Sequence, residues 1–180
     1  MLTTPEPDAE EHRDNATFSA LLNALSRPGT IHEMPEPGLL PVALALIDRE
    51  CRAFADDPEL AATLKTTGAT LVPPELADHL LMSLDSEEAI DHLARVTAGS
   101  QLYPDQGATV TVPASLDTGP QITLSGPGTP GSATIAIGNL HPAIWRVRAG
   151  LCRYPLGIEL IFVDGRRLVA IPRSTLVTEG

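Results

Sequence analysis

The sequence predicts an α/β domain, a mixed sheet with helices on its faces, from two observations. Helix-periodic segments alternate with short β-rich runs through the first hundred residues, and the strand-dominated second half closes on a hairpin. In that hairpin Ile158 to Val163 is apolar except for Glu159, Asp164-Gly165 favours a type I′ turn, and Arg167 to Ile171 returns as the second strand. A chain of 180 residues suits one domain with one sizeable core. Residues 10–180 are read as that domain, behind a Pro- and Glu-rich N-terminal tail, residues 1–9, that lacks apolar periodicity and is expected to be mobile.

From Glu10 to Arg27, Phe18, Leu21, Leu22 and Leu25 recur at helical spacing, which predicts an apolar face on a helix ended by Pro28-Gly29. Pro41 to Asp48 reads as a second, very apolar helix opened by proline in its first turn, and Arg52 to Asp56 as a short strand. Pro58 to Lys65 suits a third helix stopped near Gly68. Leu71-Val72 and Ala77 to Leu84 are strand candidates, the latter also compatible with a helix because Leu80, Leu81 and Leu84 fit both periods. Asp85 with Glu88 three residues on is an aspartate form of the capping box, opening a helix to about Val96. After Gly99, Ala108 to Pro113, Gln121 to Ser125 and Ala133 to Ile137 read as strands, and Pro142 to Ala149 as a short helix carrying Trp145, Arg146 and Arg148.

The net charge of −11 is uneven: residues 1–100 carry −12 and residues 101–180 carry +1. An acidic surface repels nucleic-acid backbones and anionic membranes, so neither is expected as a partner, while the arginine-bearing C-terminal half could hold a small anion. No stretch approaches the roughly 20 apolar residues of a membrane span, and the acidic N-terminus does not resemble a signal peptide. A cytoplasmic protein is expected.

Pro172 cannot donate to a ladder, so it ends the last hairpin strand and leaves Arg173, Ser174 and Thr175 at its mouth, one cation and two hydroxyls suited to a phosphate or phosphonate oxygen. The alternative is an Arg173 paired with a carboxylate and hydroxyls that cap a turn. Gly126-Pro-Gly-Thr-Pro-Gly131 matches G-x-G-x-x-G, but Pro127 and Pro130 stiffen it and strand follows it where a dinucleotide fingerprint needs a helix. The backbone at Gly126 and Gly128 could still approach an anion, or the loop could be a tight turn only. Tyr103-Pro-Asp-Gln-Gly places Asp105 in a turn where it could pair with an arginine or simply form the turn. Lys65, the only lysine, sits at a helix end where cations are favoured, so no Schiff-base cofactor is expected. Cys51 and Cys152 read as buried thiols, and the five histidines have no metal-ligand spacing, so no metal is expected. A G-x-S-x-G elbow is absent.

The segments FSALLNALSRPGTI (18–31), TTGATLV (66–72), YPDQGATVTV (103–112), LSGPGT (124–129) and YPLGIELIFVDGRRLVAIPRST (154–175) occur in order across nearly the whole chain. Together they resemble PhnH, the H subunit of the bacterial carbon-phosphorus lyase system. The resemblance implies a cytoplasmic component of a core assembly with the G, I and J subunits. In that system the G, H and I subunits, with the accessory L protein, join an alkylphosphonate to the ribose C1 of ATP with loss of adenine, giving a ribose 1-alkylphosphonate 5-triphosphate. The I subunit is the nucleosidase-like catalyst there, and a separate radical subunit breaks the carbon-phosphorus bond. The resemblance further implies a fold similar to the large domain of pyridoxal-phosphate-dependent transferases without the cofactor, and a homodimer when alone. Thr66 and Ser19 depart from the histidine and arginine that relatives often carry there, whereas Arg173, Asp105, Gly126 and Gly128 match.

Three readings follow. The first is a non-catalytic or co-catalytic subunit of the phosphonate-activating complex, with Arg173, Ser174, Thr175, Gly126 and Gly128 lining an anion site for a phosphonate or nucleotide and Asp105 orienting Arg173. The others are a stand-alone α/β enzyme acting on a nucleotide or phosphoanion, and a purely structural adaptor.

Overall fold

A computed structural model describes residues 8–180. The expected tail therefore falls largely outside the described residues. Asp8 and Ala9 belong to the first helix: the Asp8 carboxylate accepts from the backbone N–H groups of Glu10 (2.8 Å) and Glu11 (2.9 Å), and Glu11 reaches back to the Asp8 N–H.

The chain runs α1 (Ala9–Ser26), β1 (His32–Glu33), α2 (Leu39–Leu46), β2 (Arg52–Ala55), α3 (Pro58–Thr66), β3 (Thr70–Leu71), β4 (His79–Leu81), α4 (Glu87–Leu93), β5 (Thr109–Pro113), β6 (Ser115–Gly126), β7 (Thr129–Gly138), α5 (Ile144–Leu151), β8 (Glu159–Asp164), β9 (Arg167–Ile171) and β10 (Leu176–Glu179). The predicted elements are present, with ends shifted by a few residues. Ala77 to Leu84 resolves as strand, at β4.

Seven strands form one mixed sheet in the order β1-β9-β8-β5-β4-β2-β3. Strands β3, β2, β4, β5 and β8 are parallel, and β9 and β1 add antiparallel at one edge. Period-2 alternation splits each central strand between two cores. Leu80, Val110, Val112, Leu160, Phe162, Val169 and Ile171 face α4, α5 and a second sheet. Ile161, Val163, Leu168 and Ala170 face α1 and α2, while Ala53 and Leu81 face α2 and α3.

The second sheet, β10-β6-β7, is antiparallel and small, and the sequence reading of a single sheet did not contain it. Its strands extend well past the runs expected at Gln121 to Ser125 and Ala133 to Ile137, because the ladder breaks at irregularities over polar residues and resumes beyond them, at Ser115 and Leu116 and at Gly126 with Thr129.

The face of α1 is a correction. It buries Thr17, Ala20, Leu21 and Ala24, while Phe18 and Leu22 stay 46% and 58% exposed. Small side chains let the helix lie close to the branched residues of β8 and β9, and close approach outweighs the larger area that Phe18 would bury. Helix α4 is capped one residue later than expected, by Ser86 Oγ accepting from Ala89 N–H at 3.2 Å, and it ends at Leu93 rather than Val96. The β8–β9 turn is Gly165-Arg166, flanked by the paired Asp164 and Arg167. Of its two central residues only Gly165 has positive φ (60°), the II′ pattern rather than the expected I′. Cys51 and Cys152 are half-buried rather than buried, and both are free thiols.

Candidate functional site

Pro172 ends β9 as expected, and Pro172 to Thr175 then carries the chain from the seven-stranded sheet to β10 in the small sheet. This crossover lies at the amino-terminal ends of β5 and β8. Two arginines hold it from different sides. Arg148, on α5 and only 3% exposed, donates from Nη2 to the carbonyl oxygens of Pro172 (2.7 Å) and Thr175 (3.0 Å). Burial lowers its pKa from the ordinary guanidinium value, and Cys152 and Glu159 act in the opposite sense. Among the described residues, Arg148 Nε and the buried Thr175 Oγ1 have no hydrogen-bond partner.

Arg173 faces the other way. Its backbone N–H donates to Glu159 Oε2 at 2.8 Å, its Nε to Glu159 Oε1 at 2.5 Å, and its Nη1 to the Pro104 carbonyl. Both side chains of the Glu159–Arg173 pair are mostly buried. Arg173 thus pairs directly with Glu159, while Arg148 feels the same carboxylate through space, and the three groups together carry one excess positive charge.

Glycine is required where backbone closes on this cluster. A Cβ at Gly157 would come within 2.6 Å of Arg173 Cβ and 3.0 Å of Cys152 Sγ, and one at Gly107 would collide with the Gly157 carbonyl and lie 3.2 Å from Arg173 Nη1. The Tyr103–Gly107, Tyr154–Gly157 and Pro172–Thr175 segments, far apart in sequence, therefore meet around one side chain. Tyr103 and Tyr154 stand exposed on two of them, with Leu102 exposed just before Tyr103.

The expected site residues separate into two groups. Arg173, Ser174, Thr175 and Gly126 come together: a Cβ at Gly126 would sit 2.9 Å from the Ser174 carbonyl oxygen. Gly128 is elsewhere, against the Ser26 carbonyl and Pro28 at the end of α1. Pro127-Gly128 is the two-residue tip of the β6–β7 hairpin, with Gly128 at φ 81° in the second central position, so the loop has the geometry of a proline-glycine type II turn.

Asp105 does not orient Arg173. The one-turn helix Pro104–Gln106 directs the Pro104 carbonyl at the guanidinium and leaves the Asp105 side chain exposed, without an ion pair among the described residues. Glu159 has the part expected of Asp105. In the sequence Glu159 is the one charge in the apolar run Ile158 to Val163, a signal that could have marked it. Arg148 gave a weaker signal, since Arg146 in the same helix looks equivalent until the packing is known. Lys65 is exposed in the last turn of α3, as expected of a helix-end cation.

Residues 7–178 match the family described as bacterial phosphonate metabolism protein (PhnH). The chain is also 31% identical, over 170 residues, to a Stutzerimonas stutzeri protein named putative C-P lyase subunit protein HtxG, an overlap covering 91% of this chain and 85% of that one. This chain belongs to the PhnH family of bacterial phosphonate metabolism proteins.

Proposed function

We propose that this chain is a subunit of a carbon-phosphorus lyase system and works with G, I and J subunits in activating organic phosphonates. The observation that carries this reading is the family match across residues 7–178, supported by similarity to a protein named as a C-P lyase subunit. The step proposed is formation of a ribose 1-alkylphosphonate 5-triphosphate. A phosphonate oxygen bonds to ribose C1 of ATP, the bond from C1 to adenine breaks with its electron pair going to the base, and adenine takes up the proton that the phosphonate monoanion gives up on forming the ester. This chain is assigned a co-catalytic or positioning part, since the Arg148, Glu159 and Arg173 cluster offers positive charge but no activated nucleophile.

An anion role for Arg173 rests on the excess positive charge of that cluster and on Nη2, the one guanidinium nitrogen of Arg173 without a protein partner among the described residues. Ser174 and Gly126 would line the approach. The engagement of Nε and Nη1 favours a second reading in which Arg173 is structural and the chain is an adaptor. Exposed Leu102, Tyr103 and Tyr154 around the cluster suit a partner-facing surface in either reading.

The proposal includes a homodimer when the chain is alone, a cytoplasmic location, and the transferase-like fold without pyridoxal phosphate. Among the described residues no helix is long and apolar enough to cross a membrane. Co-expression of the tagged chain with untagged G, I and J subunits tests the assembly. Retention of all three in stoichiometric amounts is expected, and elution of the chain alone would overturn the subunit reading in favour of a stand-alone enzyme.

A further inference from the structure

A crevice lies at the opposite end of the sheet. From β2 the chain passes through α3 to β3 on one side, then returns past β2 to β4 on the other, so the strand order reverses between β2 and β4. Connections leaving adjacent strands in opposite directions leave a crevice outside their carboxyl ends, the place where open α/β sheets hold ligands. A cavity of about 410 Å³ opens there. Its walls are tied together: Asp56, just after β2, accepts from Ser83 N–H at 2.7 Å through Oδ2, and its own N–H donates to the Leu81 carbonyl at 3.2 Å. Such a site is formed before any ligand arrives.

The lining sets the chemistry. Phe54, Met82 and Ala89 give an apolar floor, and Asp56, Asp85 and Glu88 bring three carboxylates, while among the described residues no Lys or Arg lines the cavity. His92 is the other titratable group there, with Nε2 4.0 Å from Glu88 Oε1. Helix-end stabilisation accounts for Glu88 in the first turn of α4, yet it does not account for Asp56 on another element. The partial positive charge at a helix start, about half a unit, is outweighed by three carboxylates. Phe54 and Ala55 also border a second cleft, of about 270 Å³, walled by Leu71, Val72 and Pro73. The crevice is therefore acidic at one end and apolar at the other, which excludes the phosphate and phosphonate anions considered for Arg173.

We propose that this switch-point crevice is a binding site for a small organic cation, its ammonium held among Asp56, Asp85 and Glu88 and its apolar body lying over Phe54 toward Leu71 and Val72. The chain, labelled with nitrogen-15, can be titrated with 2-phenylethylammonium, with neutral 2-phenylethanol and anionic phenylphosphonate as matched probes. The amine is expected to shift the amides of Asp56, Ser83, Ser86 and Ala89 and to bind more tightly than the alcohol, with no effect of the phosphonate at these amides. Asp85→Asn and Glu88→Gln, exposed positions whose removal leaves the Asp56–Ser83 tie intact, are each expected to weaken amine binding by up to about fivefold. Thermal melts establish that both variants are folded. Shifts absent from the crevice up to about 10 mM amine, well above a millimolar dissociation constant, would overturn the proposal. So would equal binding of phenylphosphonate, or undiminished amine affinity in the double variant.

Discussion

Glu159 closes the open end of the β8–β9 hairpin by accepting two hydrogen bonds from Arg173. In register Leu160 faces Ile171, so the next position along β9 is Pro172, which has no N–H to continue the ladder. The Glu159 carboxylate takes the Arg173 backbone N–H at 2.8 Å and its Nε at 2.5 Å, so the first backbone donor past the proline is satisfied as the chain turns into the crossover. Hydrogen bonds to charged groups in this range contribute about 1.5–3 kcal/mol. Glu159→Ala and Arg173→Ala are each expected to destabilise the fold by about that amount, with a coupling of about 1–3 kcal/mol in urea denaturation of the double variant. Strictly additive losses would show that the pair is not a unit.

Growth separates the structural from the anion-binding role of Arg173. In a strain lacking this subunit, with methylphosphonate as sole phosphorus source, Arg173→Lys keeps the charge and loses the planar fork. Glu159→Gln weakens the same tie without touching the guanidinium. If Arg173 also binds an anion, Arg173→Lys impairs growth more than Glu159→Gln at matched thermal stability. Equal impairment would leave the adaptor reading.

Arg148 and Thr175 give opposite expectations from the same buried spot. Arg148→Met leaves the carbonyls of Pro172 and Thr175 without their donor, for an expected loss of about 1–3 kcal/mol. The damage should be local, appearing as faster hydrogen exchange at Leu176 and Val177, where β10 joins β6. Thr175→Val removes a buried hydroxyl that has no partner among the described residues and keeps its shape, so stability is expected to stay level or rise by up to about 1 kcal/mol. A large loss in Thr175→Val would reveal a partner for that hydroxyl, such as an ordered water.

The proposed homodimer has a surface to use. Phe18 and Leu22 project from α1, and Leu40 and Leu44 are 38% and 40% exposed on α2, which packs beside it. An isologous contact between two such faces covers apolar area on both copies at once. Phe18→Glu with Leu22→Glu is expected to convert a dimer to a folded monomer in light scattering at micromolar concentration. A wild-type chain that is monomeric there would remove the dimer, and a dimer that survives both charges would place the contact on another face.

How much was legible follows from where each signal lives. The terminal hairpin, the proline that ends it and the helix ended by Pro28-Gly29 are local, and local chemistry decides them. Which face of α1 turns inward is not local: Phe18 and Ala20 compete for one sheet surface, and only the closeness of β8 and β9 settles it. The small antiparallel sheet was hidden because Asp117 to Pro120 carries no apolar alternation, although the ladder resumes beyond it. At the site Arg173 could be found because proline punctuates the sequence beside it. Its partner was harder to find: Glu159 stood out as a charge in an apolar run, but Asp105 in its turn competes with it until the one-turn helix at Pro104 leaves the Asp105 side chain exposed. The switch-point crevice depends on strand order alone, which no segment of the sequence encodes by itself.

His79 sets an expectation for pH. It opens β4, and burial lowers its pKa from the ordinary imidazole value near 6.5, with Asp78 and Asp48 only partly opposing that effect. The folded state therefore resists protonation at His79 while the unfolded chain accepts it readily. Between the two pKa values the unfolded state binds more protons, so its contribution to stability is fully present above about pH 6.5 and is lost as the pH falls toward the lowered native value. His32, lowered first by burial and then by Arg27, acts in the same direction. Unfolding free energy measured in urea at intervals from about pH 8 to about pH 5 should decline through this window. His79→Gln, which cannot titrate, is expected to flatten the decline without abolishing it, because His32 remains. An unchanged pH dependence in His79→Gln would mean that the imidazole is as free to take a proton in the folded chain as in the unfolded one.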